Sequence, residues 1–118
     1  MFIALVLSPG SAKRIEGEAR LRGLIPEGWA VKCHHCTLAM GATHRFNLGF
    51  VKSFTVTGYG MTAGRVSAFR VDVPESFNIV PHVTIAVAEG ARPVESNDIA
   101  EWIDCDKFEV VGAIEICK

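Results

Sequence analysis

The chain has 118 residues, of which 49% are hydrophobic and 21% charged, a size and balance that fit one folded domain with a modest core. No apolar run approaches the roughly 20 residues that a membrane-spanning helix needs, and "MFIALVLS" is too short and lacks the basic flank of a signal peptide, so it reads as a first strand. The formal net charge of −1 conceals an asymmetry: residues 1–70 carry nine basic and three acidic side chains, residues 71–118 three basic and ten acidic. That pattern makes either two solvated surfaces or a basic lobe that attracts an anionic ligand.

In chain order, residues 2–7 form a continuous apolar run and predict a buried strand. Residues 11–22 predict a helix entered through Ser8 or Ser11, braced by Glu16–Arg20 and Glu18–Arg22 at i,i+4 spacing, and stopped at Gly23. "IPEGW" is a loop, and the stretch beginning at Val31 and punctuated by Gly41 is a strand. Strands follow over residues 51–57, ending at "GYG", and over residues 65–73. "PES" and Pro81 bracket a loop, and residues 82–88 form a further strand. A short helix capped by Ser96, Asn97 or Asp98 runs to residue 103, with Asp98 and Glu101 forming a capping box, and residues 108–117 form the last strand. The order β-α-β-β-β-β-α-β gives an α+β fold in a single domain, residues 1–118.

The stretch "KCHHC" places Cys33, His34, His35 and Cys36 side by side. On a strand Cys33 and His35 point one way, and His34 and Cys36 the other. Four ligands divided between two faces cannot converge on one tetrahedral zinc. The other two cysteines, Cys105 and Cys117, have no zinc-finger spacing, and a thioredoxin-type CxxC would open a helix rather than lie in a strand. No metal or cofactor is expected. Without an export signal the four cysteines are expected as free thiols in a reducing cytoplasm.

A repeat carries the functional reading. His35-Cys36-Thr37-Leu38-Ala39 and His82-Val83-Thr84-Ile85-Ala86 share the pattern His-x-Thr-aliphatic-Ala, 47 residues apart. Each strand buries one face (Cys36 and Leu38, with His34 on the same side; Val83, Ile85 and Val87) and presents His and Thr on the other. Two imidazoles and two hydroxyls facing a common solvated cleft suit a phosphodiester. One imidazole activates water or a ribose hydroxyl, the other protonates the leaving oxygen, and the hydroxyls bind the non-bridging oxygens. The near-identical motifs barely separate the roles; His82 is taken as base and His35 as acid.

Paired His-x-Thr strands resemble the 2H phosphoesterases, or LigT-like proteins. Together with "TVTGYG", "VSAFRVDV" and "PHVTIAVAEGARPVESNDI", the likeness extends over nearly the whole chain, to a compact RNA-repair-like branch that includes phage enzymes degrading cyclic oligonucleotide immune signals. The resemblance implies two pseudo-symmetric lobes of antiparallel strands with flanking helices around a central cleft. It implies a metal-independent phosphodiesterase acting on a 2′,3′-cyclic phosphate RNA end or a cyclic nucleotide or oligonucleotide, with His35, Thr37, His82 and Thr84 as the catalytic set. The chain is shorter than many members and its motifs lie closer together, which implies reduced substrate-gripping loops. The substrate is then a nucleotide or RNA end, with no membrane and no protein partner indicated.

Around this set, Tyr59 is a candidate for stacking on a base, and His44 and Arg45 for touching a phosphate. His34 reads as structural, Trp29 and Trp102 as packing residues, and the glycines of "GYGMTAG" as a strand connection. Two other readings stand beside the enzyme: a non-catalytic nucleotide- or RNA-binding protein on the same fold, and a zinc or thiol protein centred on residues 33–36.

Overall fold

A computed structural model describes residues 1–41 and 46–118. The elements are β1 (Phe2–Leu7), α1 (Pro9–Leu21), β2 (Ala30–Val31), β3 (His35–Met40), β4 (Val51–Thr62), β5 (Val66–Asp72), β6 (His82–Val87), a 3-10 helix (Pro93–Asp98) and β7 (Ile103–Cys117). Every pairing is antiparallel. The order β6-β3-β1-β7-β4-β5 returns from β5 to β6, so six strands close into a barrel, and β2 extends along the β6 edge. The class is α+β, and closure leaves the β6 strand no free edge along its length. Among the described residues no helix is long and apolar enough to cross a membrane.

The N-terminal elements form for local reasons. Ser8 caps α1, its Oγ accepting the Ser11 N–H at 3.2 Å. Pro9 occupies the first turn, where its missing N–H is harmless, so the helix starts two residues before the expected residue 11. Gly23, at φ 69°, ends it: its N–H donates to the Arg20 carbonyl and that of Leu24 to the Ala19 carbonyl. Both i,i+4 ion pairs form, at 2.8 Å (Glu16–Arg20) and 2.6 Å (Glu18–Arg22). The buried face of α1, Ile15 and Ala19, joins Ile3, Leu5, Leu38, Val56, Phe69, Val83, Ile85 and Val110 in the main core.

Boundaries further along the chain also differ from the sequence expectation. β4 continues through "GYG" to Thr62. Glycine is needed there for space: a Cβ on Gly60 would lie 2.5 Å from Ile99 Cγ2 and 2.9 Å from the Glu101 carbonyl oxygen. The chain after residue 98 therefore lies directly on β4. The short helix spans Pro93–Asp98, not residues 96–103, because the Glu95 carboxylate takes the Arg92 N–H at 2.7 Å and sets the start earlier; Ile99 is already extended. β7 begins at Ile103 rather than 108, and its 15 residues pair with both β1 and β4.

The charge asymmetry has a structural outcome. Lys52–Glu75, Arg65–Glu95 and Arg70–Asp104 each join a basic residue of the first half to an acid of the second. Three of the nine basic residues of the first 70 are thus met by acidic partners from the rest of the chain.

Candidate active site

β3 and β6 are neighbours, paired at Cys36 and Val83. Both of these side chains are fully buried in the main core. The residues flanking that pair therefore face outward, and antiparallel pairing brings Thr37 toward His82 and His35 toward Thr84. All four line one cavity of about 440 Å³. Phe2, Met40, Pro93 and Val94 supply its apolar walls, and Asn78 and Asn97 its amides.

The CHHC stretch does not alternate as a regular strand. The register runs Val31↔Ala86 in β2 and Cys36↔Val83 in β3, five residues on one side against three on the other. The two extra residues are absorbed at a bulge where Cys33 takes φ 45°. In place of the expected division, Cys33 and Cys36 both turn inward, while His34 and His35 both turn outward. Burial pushes each thiol up to about 12, which keeps both protonated and poorly nucleophilic. His34, expected on the buried side, is exposed, and its Nδ1 lies 3.0 Å from His35 Nδ1.

His35 is half-buried between the rings of Phe2, at 5.0 Å between centroids, and His34, at 5.2 Å. Burial first, then the neighbouring His34 and His82 imidazoles, drive its pKa down to about 4. His82 is buried rather than solvated: it is only 7% exposed and stacks on Trp102, with centroids 6.4 Å apart. Its Nδ1 donates to the Val80 carbonyl at 2.8 Å, which leaves Nε2 as the titrating nitrogen. Burial lowers the His82 pKa, and the Val80 contact opposes that shift.

The hydroxyls are held differently. Thr84 Oγ1 lies 2.8 Å from the Oγ of buried Ser96 and also reaches the Pro93 carbonyl at 3.4 Å, so the 3-10 helix orients it. Thr37 is fixed through its backbone, where the Ser76 hydroxyl donates to the Thr37 carbonyl at 2.8 Å. Its own hydroxyl has no hydrogen-bond partner among the described residues.

Tyr59 sits on β4, packs against the main core and does not line the cavity. His44 and Arg45 lie outside the described residues. Trp29 packs against the main core; Trp102 packs too, but with the outer cluster of Val66, Ala68, Val87 and Ile99, and beneath His82. No sequence pattern marked Asn78 or Phe2 as site residues, and Asn97 and Ser96 stood only as capping candidates and Trp102 only as a packing residue. "ESN" was visible as a capping segment, yet only the return of the 3-10 helix onto β6 assigns Ser96 to Thr84. The Val80–His82 bond is the one feature with a local signal, a histidine two residues after a carbonyl fixed by Pro81. Among the described residues no group of three or more His, Cys, Asp or Glu side chains is arranged to hold a metal ion. Compared with known proteins, the chain matches no family model, no curated protein and no solved structure.

Proposed function

We propose that the protein is a phosphodiesterase that hydrolyses a nucleotide phosphodiester by two-histidine acid–base catalysis, without a metal, on a 2′,3′-cyclic phosphate RNA end or a cyclic nucleotide or oligonucleotide. The observation that carries this reading is the convergence of both His-x-Thr motifs on one cavity, from adjacent antiparallel strands paired between the motifs. The local two-fold relation of the motifs about the Cys36–Val83 pair also supports the two-lobed, LigT-like reading of the fold.

The electrostatics favour roles opposite to the first assignment. Burial lowers both imidazoles, but His35 is driven to about 4 with two neighbouring imidazoles adding to the shift, whereas the Val80 carbonyl opposes the shift at His82, so in this reading a single proton shared by the site is placed on His82. His35 Nε2 then takes the proton of the attacking water or ribose hydroxyl, and His82 Nε2–H donates to the leaving oxygen. With the Ser96 hydroxyl donating to Thr84, the Thr84 proton turns from the Pro93 carbonyl, a long contact at 3.4 Å, to a non-bridging phosphoryl oxygen, and the Thr37 hydroxyl, without a hydrogen-bond partner among the described residues, serves the other. Phe2 and Met40 on one side, and Pro93 and Val94 on the other, offer apolar walls to a base or ribose.

The test is turnover of a panel of 2′,3′-cyclic mononucleotides, RNA ends and cyclic di- and trinucleotides, with EDTA present. Hydrolysis that survives the chelator and disappears in His35→Ala and His82→Ala is the expected result. Tight binding of a panel member without turnover would instead establish the non-catalytic binder. Activity that EDTA removes and zinc restores would establish the metal reading.

A further inference from the structure

The bulge at Cys33 does more than break the strand. By turning two successive histidines outward, it sets His34 Nδ1 against His35 Nδ1 at 3.0 Å, with the rings nearly perpendicular at 80°. Two imidazole nitrogens at that distance form a hydrogen bond only if one carries a proton and the other does not. We infer that His34 is a positioning residue that accepts the Nδ1 proton of His35, locks that tautomer, and thereby directs the His35 Nε2 lone pair to the cavity as the catalytic base.

The direction of the bond follows from the surroundings of the two rings. His34 is exposed, and an imidazole in water favours a proton on Nε2, which leaves Nδ1 as the acceptor. His35 is half-buried, and a base whose ring is oriented by a third group is the general form of an activated acid–base site. His82 has the corresponding arrangement with a backbone carbonyl, its Nδ1–H held by Val80. Each histidine thus has its Nδ1 proton held and its Nε2 freed, one by a carbonyl and one by a ring. Among the described residues the titratable groups bearing on His35 are His34 beside it and His82 from β6. β1 contributes the uncharged Phe2, and Asn78, Asn97, Thr37 and Thr84 complete the cavity without charge.

The kinetic part of this inference rests on the phosphodiesterase reading; the tautomer part does not, and the experiment separates them. Ring-nitrogen NMR shifts at neutral pH report the His35 tautomer directly in the wild type, His34→Ala and His34→Asn, alongside the pH profile of kcat/KM. His34 is exposed, so both variants should fold. The wild type should show His35 protonated on Nδ1. His34→Ala should show mixed tautomers and a kcat/KM lower by roughly tenfold or more, since a histidine base in the wrong tautomer is inactive. His34→Asn places an amide oxygen near the lost Nδ1 and should restore both the tautomer and most of the rate. Both variants remove the repulsion of a neighbouring imidazole, so the acid limb should move toward neutral pH. A His35 proton on Nε2 in the wild type, an alanine variant equal to wild type in tautomer and rate, or failure of asparagine to rescue would each overturn the inference. A correct tautomer in a protein that hydrolyses no phosphodiester would support the histidine pair and reject the enzyme reading instead.

Discussion

Gly60→Ala tests whether the segment leading into β7 holds His82, the proposed acid, in place. The added methyl would meet Ile99 Cγ2 at 2.5 Å, the Glu101 carbonyl oxygen at 2.9 Å and Trp102 Cε3 at 3.0 Å. A side-chain terminus can rotate away, but the carbonyl belongs to backbone and can move only with its neighbours. The response is therefore a shift of residues 99–102 off β4, with the usual penalty of overpacking, about 1–3 kcal/mol, or a fall in Tm of roughly 4–15 °C for a domain of this size. Because Trp102 stacks on His82, the shift should also lower kcat. The control is Gly17→Ala on the exposed face of α1, where nothing lies within 4 Å of the new Cβ. There the change should stabilise by about 0.5–1 kcal/mol, through reduced freedom of the unfolded chain and better helix propensity, and leave turnover alone. Urea unfolding of the two variants, together with their turnover on the best substrate of the panel, gives the result. A Gly60→Ala protein with wild-type stability and rate would refute the close approach of this segment and its link to His82.

His35→Ala and His82→Ala should each lower kcat by roughly 10²–10⁴, the usual contribution of a positioned acid or base; steady-state kinetics on folded variants check this, and near-full activity in either would remove the paired-motif site. The kcat/KM profile should be bell-shaped with its optimum below pH 6.5, because both histidines are shifted below that ordinary value. Stability should follow the same groups. A lowered folded-state pKa means that the unfolded chain binds the proton first, so stability present above pH 6.5 is lost as pH falls toward about 4. Denaturant melts across that window should show a slope that His35→Ala reduces, and an unchanged slope would contradict the burial of this imidazole. Cys36→Ser should cost about 1–3 kcal/mol by burying a hydroxyl in a fully buried thiol site, while a folded sample keeps its turnover; loss of turnover in a folded Cys36→Ser protein would restore thiol chemistry to consideration.

Much of the local structure was legible because local physics decided it. The apolar run of β1, the Ser8 cap, the two acid–base pairs of α1 and the stop at Gly23 are all settled within a few residues of chain. The likeness of the His-x-Thr segments was also legible, since period-two alternation puts His and Thr on one face wherever a strand forms. The end of β4 was misread because distant chain intervenes: nothing within "GYG" announces that residues 99–102 will press against it. The starts of α1 and of the 3-10 helix were misread although local contacts set them, Pro9 in the first turn and the Glu95 carboxylate on the Arg92 N–H, because several neighbouring residues offered competing caps.

By itself, then, the sequence determined where the centres of six strands lie, though not all their limits, and that two of them present a histidine and a threonine outward. Only the tertiary structure decided that those strands are neighbours, that they pair at Cys36 and Val83, and that the four side chains share a cavity. It also decided the faces of the CHHC stretch, where a two-residue bulge overrides alternation and exchanges His34 for Cys33 in the interior. The physical reason is the same in each case. Alternation is fixed by backbone geometry one residue at a time, whereas register, bulges and burial are fixed by closure of the barrel, which must bring β6 into contact with β5 on one edge and with β2 and β3 on the other.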